Sequence, residues 1–210
     1  MTVFDSNVEE LIKKHILIVD DHPFIIDGYK NAISGYKPEL YEYLFTQGND
    51  CKTGYDLIVS PNTAPFDVAF LDISMPVYEE KDIHSGEDLA KLIMEYMPNC
   101  KIVLLTMYTE LLKIKNIIDT INPAGLVIKN DLTFDELIFG FDIILKDEIY
   151  YSHSIIKMAN QNNTEIEGID QFDKLILFHI SKGTKTKDIP QYIPISLHAI
   201  EQRKDNLKEL

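Results

Sequence analysis

Phe66-Asp67-Val68-Ala69-Phe70-Leu71-Asp72-Ile73-Ser74-Met75-Pro76 decides how the rest of the chain is read. Five of its first six residues are apolar, the pattern of a strand buried on both faces, and the carboxylate of Asp72 follows before Met75-Pro76 ends the pairing. In an open parallel sheet the carboxyl ends of the strands line the crevice where ligands bind, so a charge at that tip can meet solvent, metal or phosphate without burial in the core. A single Asp there also suits a loop cap, and the other strand ends must decide between the two.

Upstream, His15-Ile16-Leu17-Ile18-Val19 is a short β-rich run that ends in Asp20-Asp21, with Pro23 placed to open a helix over Phe24–Ser34 that Gly35 closes. Leu40–Phe45 suits an edge strand because Tyr41, Glu42 and Tyr43 leave it half-exposed, and a helix over Cys51–Val59 leads into the opening stretch. Downstream, Val77–Ser85 lacks periodicity and reads as an exposed loop before a helix over Gly86–Tyr96. Lys101–Thr106 is another buried strand. Leu111, Ile114, Ile117, Ile118 and Ile121 recur at helical spacing until Pro123. Gly125–Ile128 is a fifth strand, ending at Lys129, and Phe134, Leu137, Ile138, Phe141, Ile144 and Leu145 mark a fifth helix. Five strand–helix repeats predict a doubly wound α/β fold over residues 13–147, a five-stranded parallel sheet with helices on both faces.

The apolar rhythm then weakens, and residues 148–168, with the polar run Gln161-Asn162-Asn163-Thr164, read as a linker. Residues 169–210 hold three helical patterns: Asp170–Ser181 closed by Gly183, Thr186–Tyr192, and Leu197–Leu210 after the capping candidate Ser196. A tri-helical all-α unit this small with a tight middle turn is a helix-turn-helix candidate.

Charge divides along the same line. The 210 residues carry a net charge of −14, which argues against non-specific binding of nucleic acid or membrane by the whole surface. Residues 165–210 hold 7 Lys/Arg against 8 Asp/Glu, so the tail is close to neutral. Cys51 and Cys100 lack the spacing of a metal or redox pair, which fits a reduced cytoplasmic setting. No run approaches the ~18 apolar residues of a membrane span, and Asp5, Glu9 and Glu10 ahead of Lys13 do not have the order of a signal peptide.

The strands end in Asp20-Asp21, Asp72, Thr106 and Lys129, all on one rim of the predicted sheet. Close carboxylates resist full ionisation unless a cation joins them, and hard oxygen donors suit Mg²⁺. One carboxylate can then attack a phosphoryl group while Lys129 and the Thr106 hydroxyl stabilise the transferred oxygens. Singly, each has an ordinary explanation: Lys129 a solvated strand-end cation, Thr106 a β-former, the acidic pair a helix N-terminal charge. Their appearance in order at equivalent places is what carries the reading.

With Asp20-Asp21-His22-Pro23, Leu71-Asp72-Ile73-Ser74-Met75-Pro76, Thr106 and Lys129 in place, residues 13–147 resemble the flavodoxin-like receiver domain of bacterial two-component response regulators. The resemblance implies that Asp72 accepts a phosphoryl group from a sensor histidine kinase. It also implies Mg²⁺ held by Asp21, Asp72 and the backbone carbonyl of Ser74, with Asp20 completing the acidic pocket. In that family Thr106 moves toward the acyl phosphate together with an aromatic three positions before the lysine. Here that position is Leu126, and Tyr108, two residues after Thr106, is the nearby aromatic. The loop Val77–Ser85 is longer than usual for the family.

The order receiver, linker, tri-helical unit resembles the LuxR/NarL class, with Leu175, Ile176, Ile180, Gly183, Ile189, Ile193, Ser196, Ile200 and Leu207 where its helix-turn-helix has core and turn. That implies a homodimer when active, and a recognition helix Leu197–Leu210 offering His198, Gln202, Arg203, Lys204 and Lys208 to DNA. Glu201, where the family commonly has lysine, and Pro190 in the supporting helix depart from the pattern, and a helical module for dimerisation or protein docking is the other reading. An enzyme with an aspartyl nucleophile, a phosphohydrolase, is the rival in a different class. Such enzymes carry a second acid two residues after the nucleophile, where this chain has Ser74, so the expectation is a phosphoacceptor rather than an enzyme.

Overall fold

The structure is a computed structural model, and it describes residues 11–108, 110–161, 171–181, 184–193 and 195–207. Its chain divides into two compact units, Met1–Ala159 and Asn160–Leu210. The first is built on a parallel sheet of six strands in the order β2-β1-β3-β4-β5-β6. These are β1 Ile12–Val19, β2 Tyr41–Gly48, β3 Val68–Asp72, β4 Lys101–Thr106, β5 Gly125–Ile128 and β6 Tyr150–Tyr151. Side chains alternate across the central strands, so Leu17 and Val19 point to one core and Ile16 and Ile18 to the other. One core is covered by α2 (Cys51–Val59), α3 (Gly86–Tyr96) and α4 (Leu111–Ile121), the other by α1 (Pro23–Ser34) and α5 (Phe134–Leu145).

Why these helices start where they do is local chemistry. Pro23 occupies the first turn of α1, where its missing N–H costs nothing. Asp50 and Thr53 form a reciprocal capping box on α2, and the Thr133 hydroxyl accepts the Glu136 N–H to open α5. As expected of an edge, β2 is paired on one side only, to β1.

Several expectations need correction. The sheet has six strands, not five: β6 is two residues long, too short for any periodicity, and pairs Leu126 with Tyr151. The segment 148–168 is not a plain linker, since β6 and α6 (His153–Gln161) lie in it, with Ile155 buried in the first unit's core; residues 162–168 lie outside the described residues. β1 starts at Ile12 and β2 runs on to Gly48 because each strand supplies the other's ladder partners. The loop Val77–Ser85 is more ordered than its composition suggests. It contains a 3-10 turn, Glu79–Lys81, and a bridge between Tyr78 and the buried Ile83.

The second unit comprises α7 (Gln171–Ser181), a 3-10 helix Thr186–Gln191 and α8 (Leu197–Asn206). Its middle element is a 3-10 rather than an α-helix, and it contains Pro190, which has no N–H to donate. Ile176, Ile189, Ile193 and Ile200 form its core, with Phe172, Ile180 and Ile195 packed against them. The Leu175 side chain, Gly183 and residues 208–210 lie outside the described residues. No described helix is long and apolar enough to cross a membrane.

Candidate functional site

The strand order reverses at β1 and β3, which lie side by side although α1, β2 and α2 separate them in sequence. A crevice opens at the carboxyl ends of two such strands. Asp20 follows β1, Asp72 ends β3, and Lys129 follows β5; the ammonium of Lys129 donates to both carboxylates, at 2.7 Å from Asp20 Oδ2 and 2.7 Å from Asp72 Oδ2. Asp20 and Asp72 are buried, at 0% and 3% exposure, so this is an ion triad largely out of water. Asp21 stands at the open side, and a ligand atom from each of Asp20, Asp21, His22 and Asp72 lies within 4.8 Å of the others.

The supporting bonds fix the two carboxylates. The His22 backbone N–H donates to Asp20 Oδ1 at 2.9 Å, and the Ser74 N–H donates to Asp72 Oδ1 at 3.3 Å. Thr106 is fully buried at the end of β4, where its hydroxyl oxygen accepts the Tyr108 N–H at 2.8 Å. Among the described residues that hydroxyl donates to nothing, so its proton is uncommitted. Tyr108 is half-buried against the core under a cation, Lys113, 4.2 Å from its ring centre. Leu126 is wholly buried on β5.

Burial is the strongest influence on Asp72 and holds its carboxyl above the usual carboxylate range; Lys129 and the Ser74 N–H pull it down, and Asp20 pushes it further up. Burial lowers Lys129, but its bonds to Asp20 and Asp72 outweigh that and hold the ammonium above the usual lysine value. Both groups of one ion pair therefore move up. The firm member is Lys129, charged throughout, while Asp72 is the group strained by sharing a dry site with Asp20. An incoming cation relieves that strain.

Two participants escape a motif reading. His22 Nδ1 lies 2.6 Å from Asp21 Oδ1 and 3.2 Å from Asp20 Oδ1, signalled in the sequence only by its place in Asp20-Asp21-His22-Pro23. Gly86, the first residue of α3, presses on the backbone of Asp72: a Cβ there would stand 2.1 Å from the Asp72 carbonyl oxygen. Its signal is a glycine opening a helical pattern, which by itself reads as a loop residue.

In the second unit, Ser196 caps α8 as expected, accepting the Ala199 N–H. His198 and Gln202 are exposed, and Lys208 lies outside the described residues. Arg203 and Lys204, expected to be offered outward, are instead engaged within the unit. Arg203 donates to the buried Asp173 at 3.0 Å with its guanidinium 5.7 Å from the Phe172 ring centre, and Lys204 donates to Thr186 Oγ1 at 2.9 Å. The partner Asp173 is far away in sequence, so helical spacing could not reveal it. Among the described residues of this unit the exposed cations are Lys185 and Lys187, which flank the Thr186 that receives Lys204. Arg203→Ala takes the guanidinium from a buried carboxylate and should cost about 2 kcal/mol. Thermal unfolding checks this, against Lys185→Gln/Lys187→Gln as a variant expected to unfold like the parent.

No protein-family model matches the chain, and no curated protein does. Solved structures do match. The chain is similar to the RcsB response regulator of Salmonella typhimurium, described for its conformational dynamism for DNA interaction, at 18% identity and a TM-score of 0.61 over 93% of this chain and 90% of that one. RcsB of Salmonella enterica serovar Typhimurium bound to promoter rprA with the phosphomimetic BeF3⁻ matches at 18% identity and a TM-score of 0.59, over 92% and 89%. A LuxR-family two-component response regulator from Aurantimonas sp. SI85-9A1 matches at 21% identity and a TM-score of 0.59, over 73% of this chain and 100% of that one. The likeness is one of fold, a parallel α/β sheet followed by a small helical unit.

Proposed function

We propose that this chain is a phosphorylation-switched regulator of transcription: Asp72 accepts a phosphoryl group from a sensor histidine kinase, and the helical unit delivers the output on DNA as a homodimer. The observation that carries the proposal is the Lys129 ammonium bridging Asp20 and Asp72 at 2.7 Å beside the outward Asp21. It supplies, in one crevice, a nucleophilic carboxylate, a fixed cation for phosphoryl oxygens and further carboxylates for a metal. The donor set fits Mg²⁺: three carboxylates in a site too acidic for Lys129 alone to neutralise. Asp21, Asp72 and the Ser74 carbonyl would hold the ion, with Asp20 behind them. When bound, it screens the charge between donor phosphate and carboxylates. Asp72 then attacks phosphorus, the donor's leaving group departs with its bonding pair, Lys129 binds the transferred oxygens and the free Thr106 hydroxyl donates to one of them. With Ser74 two residues after the nucleophile, no second acid activates water, which supports a phosphoacceptor over a phosphohydrolase.

Incubation with acetyl phosphate and Mg²⁺ tests the site. The expected product carries a hydroxylamine-labile phosphoryl group and does not form once a chelator has removed the metal; no label, or label formation indifferent to chelation, would refute the proposal. The DNA arm uses duplex from the chain's own upstream region. Lys185→Gln/Lys187→Gln should weaken binding and flatten its salt dependence by about two units of log–log slope, one for each phosphate contact. A second reading has its own support, because the exposed face of α8 bears Glu201 and Asp205. Failure of parent and variant alike to bind duplex would favour a protein-docking output.

A further inference from the structure

Lys129 opens a 3-10 turn, Lys129–Asp131, whose two ends are tied to the start of α6. Before the turn, the Ile128 N–H donates to Ser152 Oγ at 3.2 Å. At its far end, Asp131 Oδ2 accepts from the Ser152 hydroxyl at 2.7 Å and from the Ser154 N–H at 3.0 Å, and Oδ1 accepts from the Ser154 hydroxyl at 2.8 Å. Asp131 therefore does for α6 what a side chain at the helix's own N-cap would do, from 23 residues away. Ser152, 1% exposed, is the shared post of the network, donating to Asp131 and accepting from Ile128. The turn that carries the phosphoryl-binding lysine is thus hydrogen-bonded to a helix that continues beyond Ala159, where the first compact unit ends.

We propose that Asp131 couples the phosphoacceptor site to α6: Ser152 braces its carboxylate, and the bonds it accepts from Ser154 transmit the state of the site to the helix. The inference rests on the reading of Asp72 as phosphoacceptor. In the unphosphorylated site Lys129 is held between Asp20 and Asp72. A phosphoryl group on Asp72 brings charged oxygens beyond the carboxylate and redirects the ammonium toward them. The short turn between Lys129 and Asp131 gives that movement little slack, so it displaces the carboxylate that caps α6.

Hydrogen exchange on the full chain, with and without beryllofluoride and Mg²⁺, tests the proposal. Amides of 154–157 should exchange about five-fold faster in the loaded parent, the loss of one capping interaction. In Asp131→Ala, which removes both acceptor oxygens, the same amides should exchange fast in both states, although Asp72 still takes label from acetyl phosphate. Ser154→Ala, which keeps the backbone bond, should give a smaller change and serves if Asp131→Ala does not fold. Labelled parent with unchanged exchange in α6, or a variant that responds as the parent does, would overturn the coupling and leave the phosphoacceptor reading standing. A parent that takes no label overturns both.

Discussion

Asp72→Asn is expected to abolish the acetyl phosphate label completely and, at neutral pH, to raise the melting temperature of the first unit. The first effect follows from removing the nucleophile while keeping its shape. The second follows from the direction of the Asp72 shift. Burial first, with Asp20 adding to it, holds the folded carboxyl above its unfolded value of 3.8. Between the unfolded and the folded pKa the native state binds more protons, so stability falls as pH rises through the folded pKa, and at neutral pH the ionised Asp72 is a net cost. A neutral amide removes that cost and leaves Lys129 its bond to Asp20. Each kcal/mol recovered should appear as about 3 °C. Thermal unfolding of parent and variant from about pH 4 to about pH 8 should give curves that converge at the acid end, where the folded carboxyl is protonated as well. A variant that still takes label, or that melts below the parent at neutral pH, would contradict this account of the site.

Gly86→Ala should reduce the rate of labelling about 100-fold and cost about 1–3 kcal/mol. The added Cβ meets backbone rather than a flexible side chain: 2.1 Å from the Asp72 carbonyl oxygen, 2.9 Å from its carbon and 3.2 Å from Ile73 Cα. Relief requires about 1 Å of separation between α3 and the end of β3. Neither side yields easily. The Gly86 N–H donates to the Ile73 carbonyl at 3.1 Å, and the Ile73 N–H donates to Leu105 on the neighbouring strand at 2.9 Å. The displacement therefore falls on the residue whose carboxylate must stay in line with Lys129. Labelling kinetics and chemical unfolding read the two effects separately, and a variant labelled at the parental rate would show that the close approach does not position Asp72.

Much of the first unit was legible because its signals are local. Val68–Asp72 and Lys101–Thr106 are buried on both faces and so appear as unbroken apolar runs, and α4 shows its period in Ile114, Ile117 and Ile121, all buried. The charged or hydroxyl residues at the ends of those runs became the site. What escaped was either too short or too distant. β6 has two residues and takes its identity from pairing with β5, not from composition. Asp131 and Ser154 meet across 23 positions, and Arg203 and Asp173 across 30, beyond any helical or strand repeat. Arg203 therefore looked like a free cation on a helix until its buried partner was in view.

The sequence by itself determined the kinds of elements, their order, and which strand ends carry Asp20, Asp21, Asp72, Thr106 and Lys129, because a period of 2 or 3.6 residues and a terminal polar residue are written within one short window. Only the tertiary structure decided that β1 lies against β3, so that Lys129 reaches Asp20 across 109 positions, and that the segment after α5 is fastened to the same lysine's turn. The reason is physical. Pairing and side-chain bonding between distant segments are selected by the packing of the whole sheet and its two cores, which no single stretch of the chain contains.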